Sequence, residues 1–161
     1  MSSELFVAAD GMPVRVLPTP GDAFMGAAIG YLAPGTRYAV HFHYSLEQLT
    51  FVVRGTVEVT MANAKGVPLT RTLGAGEAIA NPPATTLDFR NPGADEAEVL
   101  FVCAPPFPVD GADVALAGSH RLLTSAEQKL AGARSAQALE QFRRVIELRR
   151  GSGISFPSGQ A

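Results

Sequence analysis

The sequence predicts an all-β fold, an antiparallel barrel or jelly roll followed by a C-terminal helical extension. Two observations carry the β part. Short runs of β-branched and aromatic residues recur between positions 13 and 103 at intervals of about ten residues, and Gly- or Pro-containing turns separate them. The chain has 161 residues, 47% of them hydrophobic, enough to bury the core of one domain. The third observation is a break. Pro105, Pro106 and Pro108 stop sheet pairing, and helical spacing takes over beyond them. The expected organisation is a barrel over residues 1–108, a helical extension over 109–150 and a disordered Ser/Gly-rich tail over 151–161.

Taken in order, a mobile start at 1–4 leads into a short apolar stretch and a first strand at 13–17, which Pro18 and Pro20 break. Residues 24–32 mix Gly and Ala with large apolar side chains, as a strand does where a neighbour approaches closely. After the turn at Pro34-Gly35 comes the most informative stretch, His41-Phe42-His43, in which an i, i+2 spacing puts both imidazoles on one strand face. Strands follow at 48–54 and 56–61, joined at Gly55, then at 69–73, 77–81, 85–90 and 98–103. Thr124-Ser125-Ala126-Glu127 forms a capping box that should start a helix. Gly132 is expected to interrupt that helix, with a second helical stretch over 135–150. Arg143, Arg144, Arg149 and Arg150 sit near its end as a solvated cluster that complements the helix dipole.

Paired histidines are the usual start of a transition-metal site. Gly35, five residues, His41, one residue, His43, four residues, Gln48, six residues and Gly55 resemble the first conserved motif of the cupin superfamily. Gln48 stands where that family usually has glutamate. Gly76, Pro82 and Asn91 match the second cupin motif in register, with Ala84 in place of a glycine and Leu87 in place of the histidine that completes the metal site. The resemblance implies a small single-domain cupin. Some metal cupins that resemble lyases or isomerases of unsaturated uronates read His-x-His-x4-Gln in the same way.

The implied ligands are His41, His43 and Gln48, holding a divalent zinc, nickel, iron or manganese ion. Strand parity favours Gln48 over Glu47, because Gln48, Thr50 and Val52 share a face. Asp88 is out of phase with the pocket, and His120 lies beyond the barrel as a surface residue. Three neutral donors leave the ion its full charge and open positions. Lewis-acid isomerase, lyase or cyclase chemistry on a small carbonyl- or carboxylate-bearing substrate is therefore expected. Arg37, which shares parity with His41 and His43, would receive a substrate carboxylate, and Tyr38 or Tyr44 would supply a proton. The alternatives are a metal-poor small-molecule binding or sensing module and a cupin dioxygenase.

A net charge of −2 gives no footprint for nucleic acid or an anionic membrane. With one cysteine, Cys103, in an apolar strand pattern, and neither a basic-then-apolar leader nor a long apolar run, a cytoplasmic protein is expected. Exposed strand edges and the apolar helix positions Leu139, Phe142, Val145 and Ile146 predict a homodimer.

Overall fold

The structure, a computed structural model, describes residues 4–20, 23–108 and 111–151. Eleven strands and one helix follow one another: β1 (Leu5–Val7), β2 (Pro13–Leu17), β3 (Gly26–Leu32), β4 (His41–His43), β5 (Glu47–Arg54), β6 (Thr56–Ala62), β7 (Pro68–Gly74), β8 (Ala78–Asn81), β9 (Leu87–Arg90), β10 (Ala97–Ala104), β11 (Val114–Leu116) and α1 (Ser125–Gly151). They form two antiparallel sheets, one in the order β1-β2-β3-β10-β5-β8 and the other β11-β4-β9-β6-β7. The expected jelly roll is present. The expected disordered tail lies, apart from Gly151 at the helix end, outside the described residues, as does the start of the chain at 1–3.

Alternation explains the core. Along β10, Ala97, Val99, Phe101 and Cys103 are buried while the residues between them are partly exposed, and β3 alternates in the same way. The inward sets of both sheets meet in one cluster that includes Leu32, Val52, Val59, Leu87, Phe89 and Val99. Burial of side chains like these stabilises by about 1.5–3 kcal/mol each. Gly30 lies under this cluster because a Cβ there would come within 2.6 Å of Phe101 and 2.8 Å of the Met12 sulfur. Gly55, with φ +82°, turns β5 into β6 where a side chain would strike the Ala97 backbone at 3.0 Å.

Two expectations change. The barrel does not end at residue 108, because β11 pairs with β4 over Val114↔His43, Ala115↔Phe42 and Leu116↔His41. The segment after the prolines therefore returns to the sheet and flanks the histidine strand. The helix is a single element through Gly132, which faces open space and costs it about 1 kcal/mol relative to alanine. Thr124 and Glu127 cap it reciprocally, Glu127 N–H donating to Thr124 Oγ1 at 3.3 Å and Thr124 N–H to Glu127 Oε2 at 2.7 Å. Phe142 stacks on Phe24, and the Arg134 guanidinium lies 4.6 Å above the Tyr44 ring, so the helix packs along its own barrel. Leu139 remains exposed, as do Arg143 and Arg144. Among the described residues, no helix is long and apolar enough to cross a membrane.

Candidate metal and substrate site

His41 and His43 are buried side by side on β4, with ring centroids 5.4 Å apart and planes nearly perpendicular. Gln48, the second residue of β5, is buried as well. All three line one cavity of about 630 Å3. Glu47 is exposed and does not line it, because parity turns alternate β5 side chains outward. Phe89, Phe101, Phe107, Met12, Val14 and Val16 make most of the remaining wall apolar.

The histidines are prepared differently. His41 Nδ1 lies 3.0 Å from Ala39 O. A carbonyl oxygen can only accept, so Nδ1 carries the proton and Nε2 keeps its lone pair when the ring is neutral. His43 Nδ1 is buried with no hydrogen-bond partner. Burial, reinforced by the neighbouring His41, lowers the His43 pKa to about 3, so this ring stays neutral. Gln48 Nε2 donates to Thr50 Oγ1 at 3.4 Å, and Gln48 Oε1 accepts a weak 3.8 Å bond from Cys103 Sγ. Burial pushes the Cys103 thiol far above its ordinary range, with Asp113 adding to the shift, which leaves it an inert core group.

Two buried carboxylates stand behind the imidazoles, and neither belongs to a motif. Asp10, in the turn between β1 and β2, places Oδ2 3.7 Å from His41 Nδ1 while Oδ1 accepts Met12 N–H. Asp113, just before β11, places Oδ2 3.9 Å from His43 Nδ1. It also accepts from Ser45 N–H, Ser45 Oγ–H and Leu46 N–H, fixing the loop that joins β4 to β5. Among the described residues, no group of three or more His, Cys, Asp or Glu side chains converges as a metal cluster. The donor set available is therefore two imidazoles and one amide.

Arg37 and Tyr38, expected at the reacting centre, are elsewhere. Arg37 Nη1 binds both oxygens of buried Asp88, at 2.8 and 3.0 Å, and does not line the cavity. Tyr38 is a core residue whose hydroxyl donates to Tyr31 O and accepts from Ala33 N–H. The reason is local. Strand β4 begins only at His41, so counting parity back to Arg37 across three non-strand residues fails. Tyr44 packs edge-on against Phe42 and beneath Arg134. His120 is not a free surface residue, for its Nε2 lies 2.8 Å from Asp88 Oδ2 and its side chain is only 11% exposed. Leu87 pairs in register with His41 and packs into the core.

A family model described as a cupin domain matches residues 28–103. Polyketide synthase CurC of Streptomyces cyaneus is 35% identical over 96 residues, 60% of this chain and 56% of that protein. The chain thus spans little more than half of that relative. Protein SchB of Streptomyces halstedii is 34% identical over 103 residues, covering 61% of this chain and 70% of that one. In fold, the chain is similar to oxalate decarboxylase from Bacillus subtilis (TM-score 0.61, 18% identity, 71% of this chain and 30% of that one). It is also similar to KdgF from Halomonas sp. (TM-score 0.52, 20% identity, 63% and 86%). With the His-x-His strand, the two antiparallel sheets and these matches in agreement, the chain belongs to the cupin superfamily.

Proposed function

We propose that the protein is a small metal-dependent cupin that performs isomerase, lyase or cyclase chemistry on a carbonyl-bearing, largely apolar substrate. The observation that carries this reading is the set of three neutral donors, His41, His43 and Gln48, lining one cavity whose remaining wall is mostly apolar. They fit a divalent ion. His41 Nε2 has its lone pair free, His43 has a buried ring nitrogen without a partner, and Gln48 offers an amide oxygen held only by a weak thiol bond. Once bound, such an ion supplies Lewis acidity to a substrate oxygen.

The chain's own residues do the remainder. Asp10 and Asp113 place carboxylate oxygens 3.7 and 3.9 Å from His41 Nδ1 and His43 Nδ1, near enough to offset the charge of a bound cation without bonding either ring. Phe89, Phe101 and Phe107 exclude water and bind the apolar body of the substrate. Asp10 Oδ2, which has no hydrogen bond among the described residues, is a carboxylate oxygen of the cavity wall that would serve as a proton acceptor. The relative described as a polyketide synthase supports a polyketide-like substrate, since such chains present many carbonyls on an apolar skeleton. Leu87, in place of a fourth ligand, favours the competing reading of a metal-free binding module.

Metal analysis of untagged protein decides between them. Wild type should hold a divalent metal, and His41→Ala/His43→Ala should hold none while unfolding at nearly the same temperature. Equal metal content in both proteins would end the enzyme reading. We further propose a homodimer, supported by Leu5, Phe6 and Val7, which are exposed on the edge strand β1. A mass of 16.9 kDa rather than twice that value by light scattering would refute it.

A further inference from the structure

The charges around the cavity limit what can enter it. Asp10 and Asp113 line it with side chains only 6% and 9% exposed, and Glu4 stands at its rim. Among the described residues, no Lys or Arg side chain lines it, and Arg37 is held by Asp88 outside. The three candidate ligands are neutral, so a divalent ion on them is balanced by the two aspartates before any substrate arrives. A carboxylate entering this cavity would lose its hydration in a largely apolar space and meet three acids with no Lys or Arg to offset them, the charge of a bound divalent ion being already balanced by Asp10 and Asp113. A ketone or phenol would bring no such charge. The wall suits a ring. Phe89 and Phe101 lie 5.5 Å apart at 57°, Phe107 is 5.9 Å from His43 at 59°, and 630 Å3 is the size of pocket that holds a drug-sized molecule.

We infer that Asp10 and Asp113 make the cavity selective for uncharged aromatic ketones and phenols and exclude the matching carboxylates. This rests on the metal-dependent reading above and narrows its substrate class, removing the carboxylate-bearing substrates that the sequence alone admits.

The test compares two near-isosteric probes, 2-acetylnaphthalene and 2-naphthoate, by calorimetric titration of the full chain, before and after zinc loading, with zinc content measured on the same samples. The ketone should bind at least tenfold more tightly than the carboxylate in both forms. Asp10→Asn, which keeps an oxygen for Met12 N–H while removing the charge, should narrow that ratio at least threefold by strengthening 2-naphthoate binding. Equal or tighter binding of 2-naphthoate by wild type, an unchanged ratio in Asp10→Asn, or no binding of either probe at millimolar concentration would overturn the inference. If the protein holds no zinc yet keeps the ratio, the metal reading falls and the charge selectivity stands. If it holds zinc and the ratio is reversed, the selectivity falls and the metal reading stands.

Discussion

Among the described residues, aspartate and histidine meet in three pairs, one outside the cavity and two beside it, and the two settings are chemically opposite. On the outer side Asp88 takes a 2.8 Å bond from His120 and both bonds from Arg37, so both carboxylate oxygens and His120 Nε2 are committed. On the cavity side Asp10 and Asp113 stop 3.7 and 3.9 Å short of His41 and His43, and the acids spend their hydrogen bonds on backbone and Ser45. The outer cluster joins the segment leading into α1 to the barrel, assisted by Thr86 and Arg121, which exchange 3.3 Å bonds. A closed aspartate–histidine pair holds structure together. An open one leaves a ring nitrogen, His43 Nδ1, available for a ligand.

Two substitutions should separate these roles. Asp88→Ala leaves Arg37 and His120 without their shared acceptor, and even with Arg37 half exposed the loss should be about 2–4 kcal/mol in urea unfolding. Its metal content should match wild type. Asp113→Asn should do the reverse, weakening metal binding about tenfold in a chelator competition, because it removes a buried negative charge 3.9 Å from His43 Nδ1 that offsets a bound cation. Its stability should fall by only about 1 kcal/mol. If the two variants lost stability and metal in parallel, the inner and outer pairs would not differ in kind.

The same contrast explains what could be read in the sequence. The strand rhythm, the inward face Gln48-Thr50-Val52 and the capping box were legible because each depends on neighbours close along the chain. Strands β1 and β11 were not, since Leu5-Phe6-Val7 is apolar throughout and shows no alternation, and β11 follows a run of prolines. The acids behind the histidines are invisible for a different reason. Asp10 lies 31 positions before His41 and Asp113 lies 70 after His43, so only the closed barrel brings them together. Asp88 was correctly placed out of phase with the pocket, but a buried carboxylate needs partners, and these came from Arg37 and from His120 in a segment whose path the sequence does not declare.

A smaller effect sharpens the outer side. Arg121 and the backbone and side chain of Thr124 hold the Glu127 carboxyl low, from 4.5 to about 2. A depressed carboxylate contributes stability that is complete above its unfolded pKa and is lost as pH falls toward the folded value. The helix start should therefore weaken between pH 4.5 and about 2, and Glu127→Gln should flatten that part of the stability profile. Thr124→Ala should cost about 1 kcal/mol at neutral pH. An unaltered acid limb in Glu127→Gln would show that other carboxylates govern this range.

The smallest effect belongs to backbone rather than charge. Ala84 sits at φ +57°, in the left-handed region, at the position where the second cupin motif carries glycine. It is no incidental turn residue, for Ala84 N–H donates to His43 O at 2.7 Å and so anchors the histidine strand from the β8–β9 loop. A Cβ in this conformation costs about 1–2 kcal/mol, whereas glycine gives back about 0.5–1 kcal/mol through the greater freedom of its unfolded chain. Ala84→Gly should therefore stabilise the protein by about 0.5 kcal/mol, a rise of about 1–2 °C in Tm for a chain of this size. Metal affinity should not move, because the hydrogen bond to His43 O comes from backbone that both residues share. A fall in Tm would mean that the loop, once freed, samples conformations that release His43. The metal affinity would then drop with it, which calorimetry on the same sample would record.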